Sequence, residues 1–138
     1  MTLLETLVAL STAGILAGIV VTGASRQADR AQVTLAQAAI LDAYRIGRSA
    51  AEALSRQIEV LVTADSIVVR DPARPDQPPI HRRGGPGAMA VSSSPAMHAL
   101  SYGPSGLSLG LANVTHRLQR GTIQRTVVVS RLGRLRVE

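Results

Sequence analysis

From Thr2 to Ala24 the chain reads "TLLETLVALSTAGILAGIVVTGA", with one charged side chain, Glu5. As a helix, these roughly 23 residues would measure about 35 Å, enough to cross the hydrocarbon of a bilayer. A secretory signal peptide would place a basic region before a shorter apolar stretch, and nothing basic precedes this run. Gly14, Gly18 and Gly23 recur at spacings that let helices approach closely or soften locally. Residues 1–25 are therefore expected to form a membrane-spanning half of a helix. Two readings of Glu5 stay open. A carboxylate near a helix N-terminus suits the dipole, and a carboxylate at bilayer depth calls for a cationic partner, here an α-amine of its own or a neighbouring chain. Arg26 and Arg30 follow the run. By the positive-inside rule they would put the bulk of the chain in the cytoplasm, and a basic leader already removed would reverse that.

Beyond the run the pattern becomes amphipathic. Val33, Ala36, Ile40, Ala43, Gly47, Ala50 and Leu54 recur in steps of three and four, so residues 26–56 are expected to continue the helix with one core-facing stripe. The other faces carry Arg30, Gln37, Asp42, Arg45, Arg48 and Glu52, and Arg48 and Glu52 stand one turn apart as a weak pair. No proline interrupts before Pro72, so one helix over about 2–56 is expected.

Residues 57–138 read as β. "IEVLVT" and "SIVVR" are β-branched runs joined by the tight turn "AD", and "HALSYG", "GLSLGL", "VTHRLQ", "TIQRTVVVS" and "RLRVE" follow, with glycines between them. Residues 71–97 hold six of the seven prolines and are expected to be a long loop or loose hairpin, mobile unless a partner orders it. Its "GGPG" is a turn and not a phosphate loop, since no Gly-Lys-Ser/Thr follows. One long helix followed by several short strands gives an α+β fold, a helix packed on one or two small antiparallel sheets. Aromatic residues make up 1% of the chain, so the core must be built from Val, Leu, Ile and Ala.

Catalysis finds no support. Cysteine is absent, which removes disulfides and thiolate chemistry. His81, His98 and His116 lack ligand-like spacing, no serine sits in a nucleophile elbow, and no paired carboxylates stand out. A non-enzyme with no metal and no cofactor is expected. The net charge of +6, with every basic residue an arginine, suits an anionic partner. The last 22 residues concentrate it: Arg117, Arg120, Arg125, Arg131, Arg134 and Arg136 stand against Glu138 alone. In a terminal strand Arg134 and Arg136 would share one face, anchored by a buried Leu135 and Val137 on the other. Guanidinium forks suit phosphate oxygens, and a solvated strand face is the equally weighted alternative.

These residues carry a resemblance. "TLLETLVALSTAGILAGIVV" is similar to the N-terminus of mature type IV pilins and type II secretion pseudopilins, with Thr2, Leu3, Leu4 and Glu5 in place. "YRIGRSAAEALSRQIEVLV", "YGPSGLSLG", "TIQRTVVVS" and "GRLR" resemble GspH/FimT-type minor pilins and pseudopilins, while the Pro-rich middle does not match. The resemblance implies that a prepilin peptidase cuts before Met1 and that the new amine is methylated. It further implies that Glu5 neutralises the amine of an adjacent subunit, the assembly role falling on Thr2, Leu3, Leu4 and Glu5. The body would then lie in the periplasm, anchored by a single pass in the inner membrane. The function it implies is that of a minor pseudopilin, a structural subunit near the tip of a type II secretion pseudopilus, partnered by other pilin subunits. The alternative is a minor type IV pilin that captures DNA. In DNA-uptake relatives a Gly-Arg-x-Arg element binds DNA, and Gly133, Arg134 and Arg136 match it, with Arg131 and Arg125 nearby. With so few aromatics, such binding would be electrostatic and indifferent to sequence. A plain membrane anchor without a filament is the third and weakest reading.

Overall fold

A computed structural model of the chain describes residues 2–110 and 113–138, and for residues 15–22 the backbone alone. One helix, α1 (Leu3–Leu54), accounts for 52 residues. It starts from an extended Thr2 and ends at Ser55, whose left-handed backbone (φ 50°, ψ 42°) turns its N–H back to the carbonyls of Ala51 and Glu52. Among the described residues nine strands follow: β1 (Ile58–Thr63), β2 (Ser66–Arg70), β3 (His81–Gly84), β4 (Ser92–Ser94), β5 (Met97–Tyr102), β6 (Ser108–Leu109), β7 (Val114–Arg120), β8 (Ile123–Val129) and β9 (Leu135–Val137). They form two antiparallel sheets, in the orders β3-β2-β1-β5-β6 and β4-β7-β8-β9. The C-terminal half of α1 packs on both. The fold is the expected α+β arrangement.

The core follows from period. Along β1 the residues alternate, with Ile58, Val60 and Val62 buried, and β7 buries Val114, His116 and Leu118 in the same way. The helix meets these faces through Val33, Ala36, Ala39, Ile40, Ala43, Tyr44, Gly47 and Ala51. Small residues dominate that stripe, so the helix axis can approach both sheets closely. A Cβ on Gly47 would press into the Val60 side chain. The stripe departs from the expected one at its end: Ala51 is buried, whereas Leu54, on the last turn, is 51% exposed. Gln37, expected on a polar face, is buried and donates from Nε2 to the Thr126 carbonyl at 3.5 Å. The core also holds both tyrosines of the chain, Tyr44 and Tyr102, fully buried, in addition to the aliphatic residues expected there.

Of the segment 71–97, expected to be a long loop or loose hairpin, residues 81–84 and 92–94 pair as β3 and β4. Its prolines at 72, 75, 78 and 79 fall in 71–80, a stretch that belongs to no strand. From there β3 adds to the free edge of β2, and β4 adds to the free edge of β7. The physical reason is non-local: each sheet leaves an edge of unpaired backbone groups, and the segment crosses from one edge to the other. Between them, "GGPG" docks on the β1–β2 turn. Gly85 N–H donates to the Asp65 carbonyl at 2.9 Å and Gly87 N–H to the Ala64 carbonyl at 2.7 Å, and a side chain at Gly85 would collide with the backbone of that turn. Of "GLSLGL", only Ser108 and Leu109 are described as paired, and Leu111 lies outside the described residues.

Candidate functional site

The N-terminal half of α1 leaves the body. Its first described tie to the sheets is at Asp29, whose Oδ1 accepts from Arg120 Nε at 2.8 Å, while Arg120 Nη1 donates to the Met89 carbonyl at 2.5 Å. Residues 3–28 therefore project by roughly 39 Å at the helical rise. Among the described side chains of this arm, Leu3 is 81% exposed, Leu10 78%, and Leu4, Leu7 and Val8 are more than half exposed. The hydroxyls of Thr6, Ser11 and Thr12 are turned back onto the helix. Thr6 donates to the Leu3 carbonyl, Ser11 to that of Val8, and Thr12 to those of Val8 and Ala9, all at 2.8–3.0 Å. Each of these hydroxyl protons is satisfied within the helix by its own backbone.

Thr2 caps the helix, and Leu3 and Leu4 are its first two residues. Glu5 Oε2 accepts the Thr2 backbone N–H at 2.8 Å, so in the single chain the carboxylate serves the helix end. Met1, the expected site of processing and methylation, lies outside the described residues. Among the described residues no helical stretch is long and apolar enough to cross a membrane, and the expected span over 1–25 runs through 15–22, whose side chains lie outside them.

The arginine-rich C-terminus is arranged differently from its expected form. Arg134 precedes β9 and belongs to a turn, in which Ser130 N–H donates to the Arg134 carbonyl at 2.9 Å and Arg134 N–H to Ser130 Oγ at 3.0 Å. Leu135 is half-buried and Val137 is 46% exposed, so the aliphatic anchor is weaker than expected, because β9 is a three-residue edge strand. Arg136 Nε pairs with Glu138 Oε1 at 3.2 Å. Arg125 stands opposite Leu118 and Arg136 opposite Val128, on opposite faces of the sheet. Arg131 is held by its backbone, its N–H donating to Asn113 Oδ1 at 2.9 Å and its carbonyl accepting from Ser108 Oγ. Gly133 has a structural task. Its φ of +73° closes the turn, and a Cβ there would stand 3.2 Å from the Tyr102 ring. The five candidate residues do not form one patch.

The described structure also brings together groups that the sequence left apart. Tyr44 of α1, His98 of β5 and His116 of β7 meet where helix and both sheets join. Tyr44 Oη lies 2.7 Å from His116 Nε2, and the His98 and His116 ring centroids are 5.8 Å apart, edge to face. Burial, aided by His98, pushes the His116 pKa down to about 4, so the ring is neutral near pH 7. Burial also lowers His98 and raises Tyr44. A neutral ring whose Nε2 accepts from Tyr44 carries its proton on Nδ1, which has no partner. No cluster of three or more metal-ligating side chains occurs among the described residues. The trio is a polar joint inside the core, and only the alternation of "VTHRLQ", which puts His116 on the apolar face, hinted at it.

No family model and no curated protein matches the sequence. Solved structures do match its shape. The minor pilin FimU of Pseudomonas aeruginosa, in two crystal forms, superposes with TM-scores of 0.64 and 0.59. Identity is 16% in each, over 79% of this chain and 90–91% of FimU. The chain has a type IV pilin-like fold.

Proposed function

We propose that this chain is a minor subunit of a pilin-like filament, and specifically of a type II secretion pseudopilus. It inserts residues 1–25 into the inner membrane with its body in the periplasm, then transfers that arm into the filament core among other subunits. The observation that carries this reading is the open apolar arm, Leu3 to Val8 and Leu10, on a body whose own core is closed. Such a rod is stable only when lipid or neighbouring helices cover it. Prepilin peptidase cleavage before Met1, methylation of the new amine, and pairing of Glu5 with that amine in the adjacent subunit complete the proposal. The chain acts by assembly and not as an enzyme.

The test is incorporation. Glu5→Ala should leave the body folded and strongly reduce the protein recovered in sheared filaments, and mass spectrometry of the native N-terminus should find a methylated Met1. Unchanged recovery with an unmodified terminus would refute the assembly role. DNA capture is the second reading, favoured by Arg131 and Arg134, which have no carboxylate partner among the described residues. The secretion role is preferred because Arg136 is paired and Arg125 faces away. Arg131→Gln with Arg134→Gln in the full chain should flatten the salt dependence of any DNA binding by about 0.7–0.9 for each phosphate left unneutralised. No binding at low salt removes that reading.

A further inference from the structure

A cleft opens where the arm leaves the body. It is bounded on one side by Gly23, Arg26, Gln27 and Arg30 of α1 and on the other by Thr122 and Ile123 at the tip of the β7–β8 hairpin, and it encloses about 440 Å³. Arg26 and Arg30 stand one helical turn apart, so their guanidiniums rise from the same side of the helix. The carboxylate nearest them in sequence, Asp29, is engaged by Arg120 on the body side. Among the described residues neither Arg26 nor Arg30 has a carboxylate within 4 Å, whereas six other arginines are paired. The cleft is thus a cationic notch, lined by two guanidiniums one turn apart with no carboxylate within 4 Å among the described residues. Its position is fixed by the arm: it begins at Gly23, in the last turn of the apolar run of Thr2–Ala24.

We propose that this notch binds the phosphate of an anionic phospholipid headgroup. The inference rests on the reading of the arm as membrane-inserted and deepens it. When the apolar run occupies hydrocarbon, the next turn of helix lies at headgroup depth, where a phosphate meets two guanidinium forks and the Thr122 hydroxyl. Gly23 at the rim leaves room for the headgroup beside the helix, and a Cβ there would meet nothing within 4 Å. The contact sets how far the arm enters, because the hairpin tip rests on the headgroup layer while Asp29 and Arg120 hold hairpin and helix together. It also orients the body before assembly, since only one side of α1 carries the notch.

The full chain in zwitterionic micelles is titrated with short-chain phosphatidylglycerol, with short-chain phosphatidylcholine and with inorganic phosphate, reading the backbone amides of Thr122 and Ile123. Phosphatidylglycerol should shift both amides and saturate. Phosphatidylcholine and free phosphate should bind at least about tenfold more weakly, and Arg26→Gln with Arg30→Gln should weaken phosphatidylglycerol by about thirtyfold. Both side chains are exposed, so the double variant keeps its fold. Equal binding of the two lipids, or no effect of the double variant, overturns the proposal. Free phosphate binding as tightly as the lipid, or an acidic peptide binding more tightly, also overturns it, reassigning the notch to a free anion or to a neighbouring subunit. Flotation of the full chain with phosphatidylcholine vesicles separates the two claims: failure to float with headgroup binding retained defeats the membrane reading of the arm and leaves the phosphate chemistry of the notch standing.

Discussion

The two halves of α1 share one backbone geometry and differ in almost everything else. The first half carries leucines and valines that stand in the open, among them Leu3, Leu4, Leu7, Val8 and Leu10. The second presents one fully buried stripe to the sheets, from Val33 through Ala36, Ile40, Ala43, Tyr44 and Gly47 to Ala51, while Leu35 and Leu54 off that stripe are 48% and 51% exposed. Among the described residues, the leucines and valines of the first half stand open, and the contact stripe of the second is built mostly from small residues around Tyr44 and Ile40. A helix that must approach two sheets needs small residues at the contact, and a helix awaiting lipid or other helices needs apolar bulk.

Substitutions in the two halves should break this comparison if it is wrong. Ile40→Ala, in the fully buried half, should cost about 2–5 kcal/mol in chemical denaturation of the body. Leu10→Ala should leave that denaturation unchanged within about 0.5 kcal/mol and lower filament recovery instead. A loss of body stability from the second change would mean that the arm folds back on the body.

The polar joint behind the packed half sharpens the point through pH. The His116 pKa falls from 6.5 in the unfolded chain to about 4 in the folded one. Below 6.5 the unfolded state therefore binds the proton first, and stability falls as pH drops from 6.5 toward 4. By pH 5 the loss from this group is about 2 kcal/mol, and His98, also lowered, adds in the same direction. Thermal unfolding at pH 7 and pH 5 measures it, and His116→Leu should remove most of the slope. Because the joint lies in the packed half, filament recovery at pH 7 should be unaffected by the same change where the body folds.

Smaller effects are expected at the seams. Gly133→Ala forces a side chain into a left-handed backbone against Tyr102 and should cost about 1–2 kcal/mol. A DNA-contact role for Gly133 alone would predict no change in stability. Asp29→Asn, at the neck between the two halves, should cost about 1 kcal/mol, because the Arg120 pair is partly solvated. Hydrogen exchange of the Gly121 and Thr122 amides should rise with it, as the hairpin tip loosens from the helix.

Much of this was readable along the chain. The period of 3.6 over Val33–Gly47 and the period of 2 over "IEVLVT" and "VTHRLQ" place α1, β1 and β7 within a residue or two, because local periodicity reflects which face is covered. The apolar arm and its Glu5 cap are equally local. Tyr44 was invisible as a core residue because its stripe of small neighbours looked complete without it.

By sequence alone, then, the chain is committed to one long helix with an apolar head, an amphipathic tail and an antiparallel body, since each depends on residues a few positions apart. Tertiary structure alone decided that 71–97 supplies an edge to each sheet, that Arg125 and Arg136 face apart, and that Tyr44, His98 and His116 meet. Those outcomes depend on which strand lies beside which. A period of two says which face a side chain takes, and it carries no information about the neighbour across the ladder.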